Sequence, residues 1–543
     1  MSVQAAPQTT SSLDAPAQPR AERLEARAGW IALGVLAVFA LAVFWAFDAL
    51  PFQDLPAHAG LIALRHRFTE SPFEQRYFVL APHIGPYSLF RFLGELLIRV
   101  VGPVGAVRAL ATFPVVATPA ALLFARRTLF ADRTATYGYV GLALSFGFMT
   151  LLGFASYLLG MAVMIGGLVL WLRLGALVDA GASTPPRAVR RAEIAVLAYA
   201  PLVFVAHGHA FLLFLLLAGV TSLFGERTLE RVKRAWTLGP AVGLAAYVAW
   251  VQRGSAVPDG SAPLHNALDP RFQGAMDKLS LLVTPTLMTR TGIDIFVGVL
   301  LWVFAASAAW VTFREARRRR ARGDALTAAD RHRRALLAGA AVIAVIFLVL
   351  PHSVGWFGFV DGRLVPVVLA LLFLSIDGEA LGRSGRVVLE RAVPLAAFAL
   401  VTLALVASHR FQDEAVGYRE VLGRVPARAS LLNLPLDPNS EIFTGHPFVH
   451  YDKLVLADKD IVVSDVWFHQ GTALYPTSDN PALRLPASYS ESDLKFIDWP
   501  AYTLSDWDYV LIRTKKDAPA PDVPVALALE EHRGGWWLFK RVR

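Results

Sequence analysis

Asp54 and His58 stand four residues apart in the stretch FDALPFQDLPAHAGLIALRHRF, residues 47–68. In a helix that spacing puts both side chains on one face, about one turn apart. Pro56 between them suits the first turn of a helix. A carboxylate beside an imidazole can exchange protons with a substrate or hold a divalent metal. The competing reading is a capping Asp at a helix start followed by a surface His. Asp48 lies just before the pair, at the end of a long apolar run, where an ionisable group is a functional candidate. His66 and His83 share the segment, but the histidine spacing matches no standard zinc pattern.

Three more stretches carry chemistry-bearing side chains. VAHGHAF, residues 205–211, places His207 and His209 between two apolar runs. Such groups face a bundle interior or a water-filled cavity more readily than lipid. GFASY, residues 153–157, brings an aromatic to a neighbouring turn. PHSVGWFGFVDGR, residues 351–363, ends in Arg363 and contains His352. A guanidinium there can grip a phosphate through two hydrogen bonds. It can equally anchor the chain at an interface or pair with Asp361. Arg91 and Arg99 are placed to touch lipid phosphates.

The elements that must position these residues are apolar. The chain has 543 residues, 55% hydrophobic and 17% charged, with a mean hydropathy of +0.47. Soluble domains carry about 25% charged residues. The difference comes from repeated long apolar runs, which predict an α-helical polytopic membrane protein. The runs fall at residues 29–50, 106–125, 137–151, 158–174, 194–206, 210–224, 236–251, 293–313, 336–350, 364–376 and 393–407. They predict about 11 transmembrane helices. Residues 87–101 are also apolar, but Arg91, Glu95 and Arg99 recur every fourth position, which favours a helix lying along the membrane surface.

Arginines cluster in the loops around residues 126–133, 187–191, 227–234, 314–334 and 383–391. Placing these loops in the cytoplasm puts the N-terminus inside and the C-terminus outside. The net charge of +9 follows from those loops. Aromatic residues interleaved with a basic stripe are missing, so nucleic acid is not an expected partner. Residues 1–28, rich in Ala, Pro, Gln and Ser, read as a disordered cytoplasmic tail. Residues 29–407 read as the membrane domain, with a first outer loop at 51–104. Residues 408–543 read as an extracytoplasmic α/β domain, with strand-like stretches at 430–434, 460–463, 509–513 and 536–540. With no cysteine, thiolate chemistry and disulfides are excluded. No phosphate-binding glycine loop or serine-hydrolase elbow is present.

The layout resembles the GT-C superfamily of integral-membrane glycosyltransferases. The strings FQDLPAHAGLIAL, GFASYLLG, HGHAFLLFLLL and DGRLVPVVLALL carry the local resemblance, together with an acidic residue after the first span and a soluble C-terminal region. The resemblance implies a multi-pass protein of the bacterial plasma membrane that moves a sugar from a polyprenyl-phosphate donor to a glycan, lipid or protein acceptor on the outer face. It implies Asp54 as catalytic base or as ligand of a divalent cation, Mg or Mn. Family members often carry two adjacent acids or an acid–x–acid pattern. Here Leu55, Pro56, Ala57 and His58 follow the Asp, so His58 stands in for the second acid as metal ligand or base. Arg363, helped by His352 or Arg91, would meet the leaving phosphate. His207, His209 and Asp48 complete the candidate binding set, and His446, His450 and His469 are candidate surface contacts for the acceptor. The alternatives are a transporter or flippase of a lipid-linked glycan and a non-catalytic envelope protein.

Overall fold

The backbone has no hydrogen-bond partner in lipid, so apolar runs of this length close their bonds internally as helices. The computed structural model describes residues 20–80, 84–254, 269–355, 357–467 and 474–542. His83 and His469 lie outside the described residues. The first part of the chain forms α1 (Arg20–Trp45), α2 (Leu55–Arg67), α3 (Pro72–Tyr77), β1 (Phe78–Leu80) and α4 (Ser88–Phe130). There follow α5 (Thr136–Ser145), α6 (Phe148–Leu151), α7 (Ala155–Asp179), α8 (Pro186–Ala206), α9 (Gly208–Ser222), α10 (Thr228–Lys233) and α11 (Gly239–Gly254). Next come β2 (Pro270–Arg271), α12 (Ala275–Ser280), α13 (Ile293–Ala321), α14 (Ala328–Val349), β3 (Ser353–Val354), α15 (Leu364–Ser375), α16 (Gly382–Val387) and α17 (Val393–Ala415).

Among the described residues, six helices are long and apolar enough to cross a membrane: Leu24–Trp45, Ser88–Phe130, Ala155–Asp179, Ile293–Ala321, Ala328–Val349 and the continuous Gly382–Ala415. α9 and α15 are shorter apolar helices. Large apolar side chains stand exposed along several of them, among them Phe296, Leu300 and Trp310 on α13 and Leu395 and Phe398 on α17. Water does not tolerate such continuous apolar surface, whereas lipid does. The molecule is a multi-pass membrane protein.

Two expected elements take a different form. The run at 137–151 is broken after Ser145, and the backbone N–H of Phe148 donates to the Thr284 carbonyl at 2.7 Å in place of a helical bond. All ten residues of α5 are buried. At about 1.5 Å per residue, α5 alone reaches about half the hydrocarbon thickness. α4 is two helices joined at Gly102, whose φ of 70° and ψ of 177° break the spiral. Its first arm is the helix expected to lie along the surface. Phe90, Gly94 and Ile98 are buried on one face, while Phe92, Leu96 and Val100 stand exposed on another.

The last third adds α18 (Tyr418–Gly423), β4 (Ser430–Pro435), α19 (Lys453–Asp458), β5 (Val462–Val463), β6 (Leu474–Pro476), β7 (Tyr509–Arg513), β8 (Leu527–Arg533) and β9 (Trp536–Arg541). Five strands make one sheet in the order β5-β4-β7-β9-β8. β5, β4 and β7 run parallel, and β9 and β8 complete the sheet antiparallel. The strand-like stretches of the sequence correspond to β4, β5, β7 and β9. β8 escaped notice because LALEEHR is polar and mostly exposed, as suits an edge strand. The change of composition at Ser408 falls inside α17, which continues unbroken to Ala415.

The sheet region and the segment after α1 are built into each other. β1 pairs antiparallel with β6, from Phe78 opposite Pro476 to Leu80 opposite Leu474. α19 lies against α2 so closely that a Cβ on Gly60 would stand 3.0 Å from the Lys453 carbonyl oxygen. This contact delivers side chains of the C-terminal region to the start of α2.

Candidate active site

The first turn of α2 is fixed from the bundle side. The backbone N–H groups of Gln53 and Asp54 donate to the carbonyls of Leu151 and Leu152 at 2.9 and 3.2 Å. Gly153 makes this approach feasible. Its φ is +77°, and a Cβ there would lie 2.7 Å from the Asp54 nitrogen. Pro56 occupies the first turn, as its fixed φ favours.

Asp54 occupies the cap position of α2, yet its side chain makes no capping hydrogen bond. Its carboxylate is directed elsewhere. Oδ1 lies 3.6 Å from Nε2 of His450, with the two side chains 13% and 8% exposed. His450 was expected on the surface of the C-terminal region. It is instead buried against Asp54, because α19 docks on α2 and turns the preceding residues inward.

His450 is held from behind. Its Nδ1 pairs with Glu491 Oε2 at 3.0 Å. Lys453 Nζ donates to the same carboxylate at 2.7 Å and lies 3.0 Å from Asp452. Asn433 on β4 and the Tyr489 hydroxyl donate to Glu491 Oε1 at 3.1 and 3.0 Å. Every oxygen of Glu491 is engaged, which fixes the imidazole's direction. Burial opposes ionisation of Glu491, but the Lys453 ammonium and the His450 hydrogen bond outweigh it and hold the carboxyl below its usual range. Asp54 has fewer supporters. Burial raises its pKa to about 6, against the lowering effects of His450, Arg363 and a hydrogen bond from Gln53.

Arg363 approaches from the other side, at the start of α15. It is buried, and its guanidinium lies 4.0 Å from the Phe357 ring centre and 4.5 Å from that of Phe154. Nη2 donates to the Gly358 carbonyl at 3.1 Å. The Tyr157 hydroxyl donates to the Arg363 carbonyl. Nε has no partner among the described atoms. Around it stand Tyr87, Tyr157, His207 and His209. His207 packs edge-on to Tyr87 at 4.8 Å and to Tyr157 at 5.5 Å, and lies 6.4 Å from His209. Tyr87 adopts a φ of 70°, a costly conformation for a bulky residue that concentrates at functional sites. A cation ringed by aromatics, with an unused N–H, suits an anion that brings its own oxygens.

The remaining predicted residues fall elsewhere. His58 is half-buried, packs on Phe90 and on Trp467 at 4.9 and 5.1 Å, and is not the imidazole that Asp54 meets. Burial lowers its pKa to about 4, with the charge of His450 adding to the effect. Asp48 is exposed and paired with Arg419 at 2.9 Å. It lines a separate cavity of about 320 Å³ that reaches Leu55, Arg108 and Tyr418. His352 gives its Nδ1 to Asp361 at 2.9 Å, and Lys278 reaches the same carboxylate at 3.3 Å. Asp361 is therefore not the partner of Arg363. Arg91 donates to Ser88 at 2.9 Å and lies beside the Arg65–Glu95 pair. His446 bonds Asn439 at 2.8 Å.

Sequence reasoning missed Glu491, Lys453, Tyr87 and Phe154. One signal was present: VHYDKL, residues 449–454, packs three ionisable groups among apolar neighbours. Nothing local marks Glu491.

The described residues do not fit a divalent cation. Among the described residues, Asp54 and His450 offer only two donors, fewer than a divalent cation takes from a protein site. The Trp467 indole packs edge-on to both His58 and His450, at 5.1 and 5.2 Å. Among the described residues, no three His, Asp or Glu side chains converge as a metal site requires.

No family model matches the chain, and no curated relative matches it. Among solved structures, it is similar to the oligosaccharyltransferase AglB of Archaeoglobus fulgidus in complex with an inhibitory peptide and a dolichol-phosphate. The identity is 11% and the TM-score 0.44, over 89% of this chain and 69% of that one. An oligosaccharyltransferase of Archaeoglobus fulgidus in its apo form gives a TM-score of 0.45 at 11% identity. The mycobacterial arabinofuranosyltransferase AftD gives 0.47 at 16% identity, over 94% of this chain and 40% of that one.

Proposed function

We propose that this chain is a membrane glycosyltransferase that moves a sugar from a polyprenyl-phosphate donor to an acceptor hydroxyl on the outer face of the membrane. The observation that carries the reading is the division of labour between Asp54 and Arg363. A buried carboxylate free of capping duty stands near a buried guanidinium with an unused donor.

The reaction is a single displacement. Asp54 takes the proton of the acceptor hydroxyl as its oxygen bonds to the anomeric carbon. The bond from that carbon to the phosphate oxygen breaks, and polyprenyl phosphate leaves with the electron pair. Arg363 meets the charge that develops on the phosphate. The aromatic rings around it exclude water and strengthen that attraction. Tyr87, His207 and His209 line the same space and orient the donor. The exposed stripe of Phe92, Leu96 and Val100 suits contact with the acyl chains beside the donor's tail.

The test is sugar transfer by protein reconstituted in vesicles with polyprenyl-phosphate hexoses. Wild type transfers, and Asp54→Asn with an unchanged melting curve does not. Transfer by wild type that persists in Asp54→Asn moves the base elsewhere. No transfer by wild type from any donor removes the reading.

A further inference from the structure

Asp54 is ionisable and its side chain is 13% exposed, and taking a carboxylate largely out of water without a positive partner is costly. In many enzymes of phosphate and sugar chemistry a divalent metal supplies that charge. Here the donors among the described residues are too few to hold one. The ionisable groups facing the site are Asp54 and His58 on α2, Arg363 before α15, Asp452 and Lys453 at α19, and Glu491 ahead of β7. His450 is the group that faces Asp54 directly.

We propose that His450, carried in by the sheet region, replaces a divalent metal as the positive partner of Asp54. It is a positioning residue for the base, itself oriented by Glu491. This rests on the reading of Asp54 as the base of the transfer. The imidazole lies between two carboxylates, with Nδ1 3.0 Å from Glu491 and Nε2 3.6 Å from Asp54. A ring protonated on both nitrogens satisfies both. Lys453, Asn433 and Tyr489 fix Glu491, so the ring cannot turn away without unmaking a buried network.

Electrostatics supports the geometry. Burial lowers the His450 pKa, but the Glu491 hydrogen bond and the charges of Glu491 and Asp54 more than offset it, and it ends above its usual value. A cation there favours the ionised form of Asp54. Removing it raises the Asp54 pKa, so at a given pH less of the base is ready. No atom passes through His450 in this scheme. The acceptor's proton goes to Asp54.

The experiment reads Asp54 directly and needs no sugar transfer, so it stands apart from the activity test. Hydrophobic carbodiimide reacts with protonated carboxyls, and its labelling of Asp54 is followed by mass spectrometry across pH. The expected midpoint in wild type is about 6. In His450→Gln it rises by about one pH unit or more, the size expected for losing a close opposite charge. In His450→Lys, which keeps a cation, it stays nearer the wild-type value. Equal midpoints in wild type and His450→Gln overturn the proposal. A second measurement uses wild type alone: Mn2+ titrated into the purified protein and followed by electron paramagnetic resonance. No stoichiometric binding is expected. One equivalent bound by wild type and lost in Asp54→Asn overturns it, whatever the variants of His450 do.

Discussion

Asp54 and Asp179 stand at opposite ends of one helix and are treated in opposite ways. α7 begins just after the Gly153 turn that touches Asp54 and runs for 25 residues to Asp179. At about 1.5 Å per residue the two ends lie about 37 Å apart. Asp179 is saturated. Arg231 grips both its oxygens, at 2.9 and 2.5 Å, and the backbone N–H groups of Glu226 and Arg227 donate to it at 3.2 Å. Asp54 has one imidazole at 3.6 Å, a hydrogen bond from Gln53 and no capping role. A carboxylate with every lone pair engaged holds structure together and has nothing left to offer a ligand. One that is buried but incompletely engaged is poised to take a proton. The same contrast separates Arg231 from Arg363, whose Nε is unused.

Experiments can break that contrast at either end. The largest expected effect is on Asp54: Asp54→Asn lowers the transfer rate by about 10²–10⁴-fold, the usual worth of a positioned base, and leaves the melting temperature unchanged. At the other end, Arg231→Met takes the closest cation from Asp179, which is 1% exposed and is left with Arg331 at 3.8 Å. It costs about 3–5 kcal/mol of stability in a detergent melt, while surviving protein keeps its KM. Arg363→Lys retains charge but loses the planar fork, and KM for the donor rises about tenfold or more in a steady-state assay. The smallest effect is at Arg76, paired with Asp479 on the surface. Arg76→Ala changes stability by less than about 1 kcal/mol.

The pH response sharpens the same comparison. Transfer rises as pH passes through about 6, where Asp54 ionises. Glu491 responds in the other direction of design. Its folded pKa is depressed, so the stability it contributes is present above the ordinary carboxylate range and is lost as pH falls below that range. Melting of wild type against pH shows that acid loss, and Glu491→Gln flattens it.

Much of the architecture was legible because lipid enforces it. Long apolar runs had to become helices, and the charges spaced by four in 87–101 marked the arm that Gly102 separates from the rest of α4. The position of Asp54 was legible too, from its place after the first run. What it meets was not. The local pattern paired it with His58, four residues on, whereas the fold pairs it with His450. Side-chain spacing within a helix reports one face, but docking of α19 on α2 decides which groups share the space beyond it. The break in 137–151 was hidden for a related reason: a segment near Thr284, remote in sequence, supplies the carbonyl that interrupts the helix.

Translation runs from Asp54 toward His450, and this gives the α2–α19 contact a consequence in time. While the chain is being made, the carboxylate emerges with the early helices, but its imidazole, the lysine behind it and the strand that clasps β1 emerge only near the end. A chain translated only as far as α17 thus holds the Asp54 carboxylate without the imidazole that faces it. The α2–α19 contact thus makes the surroundings of an early carboxylate depend on residues made much later in the chain.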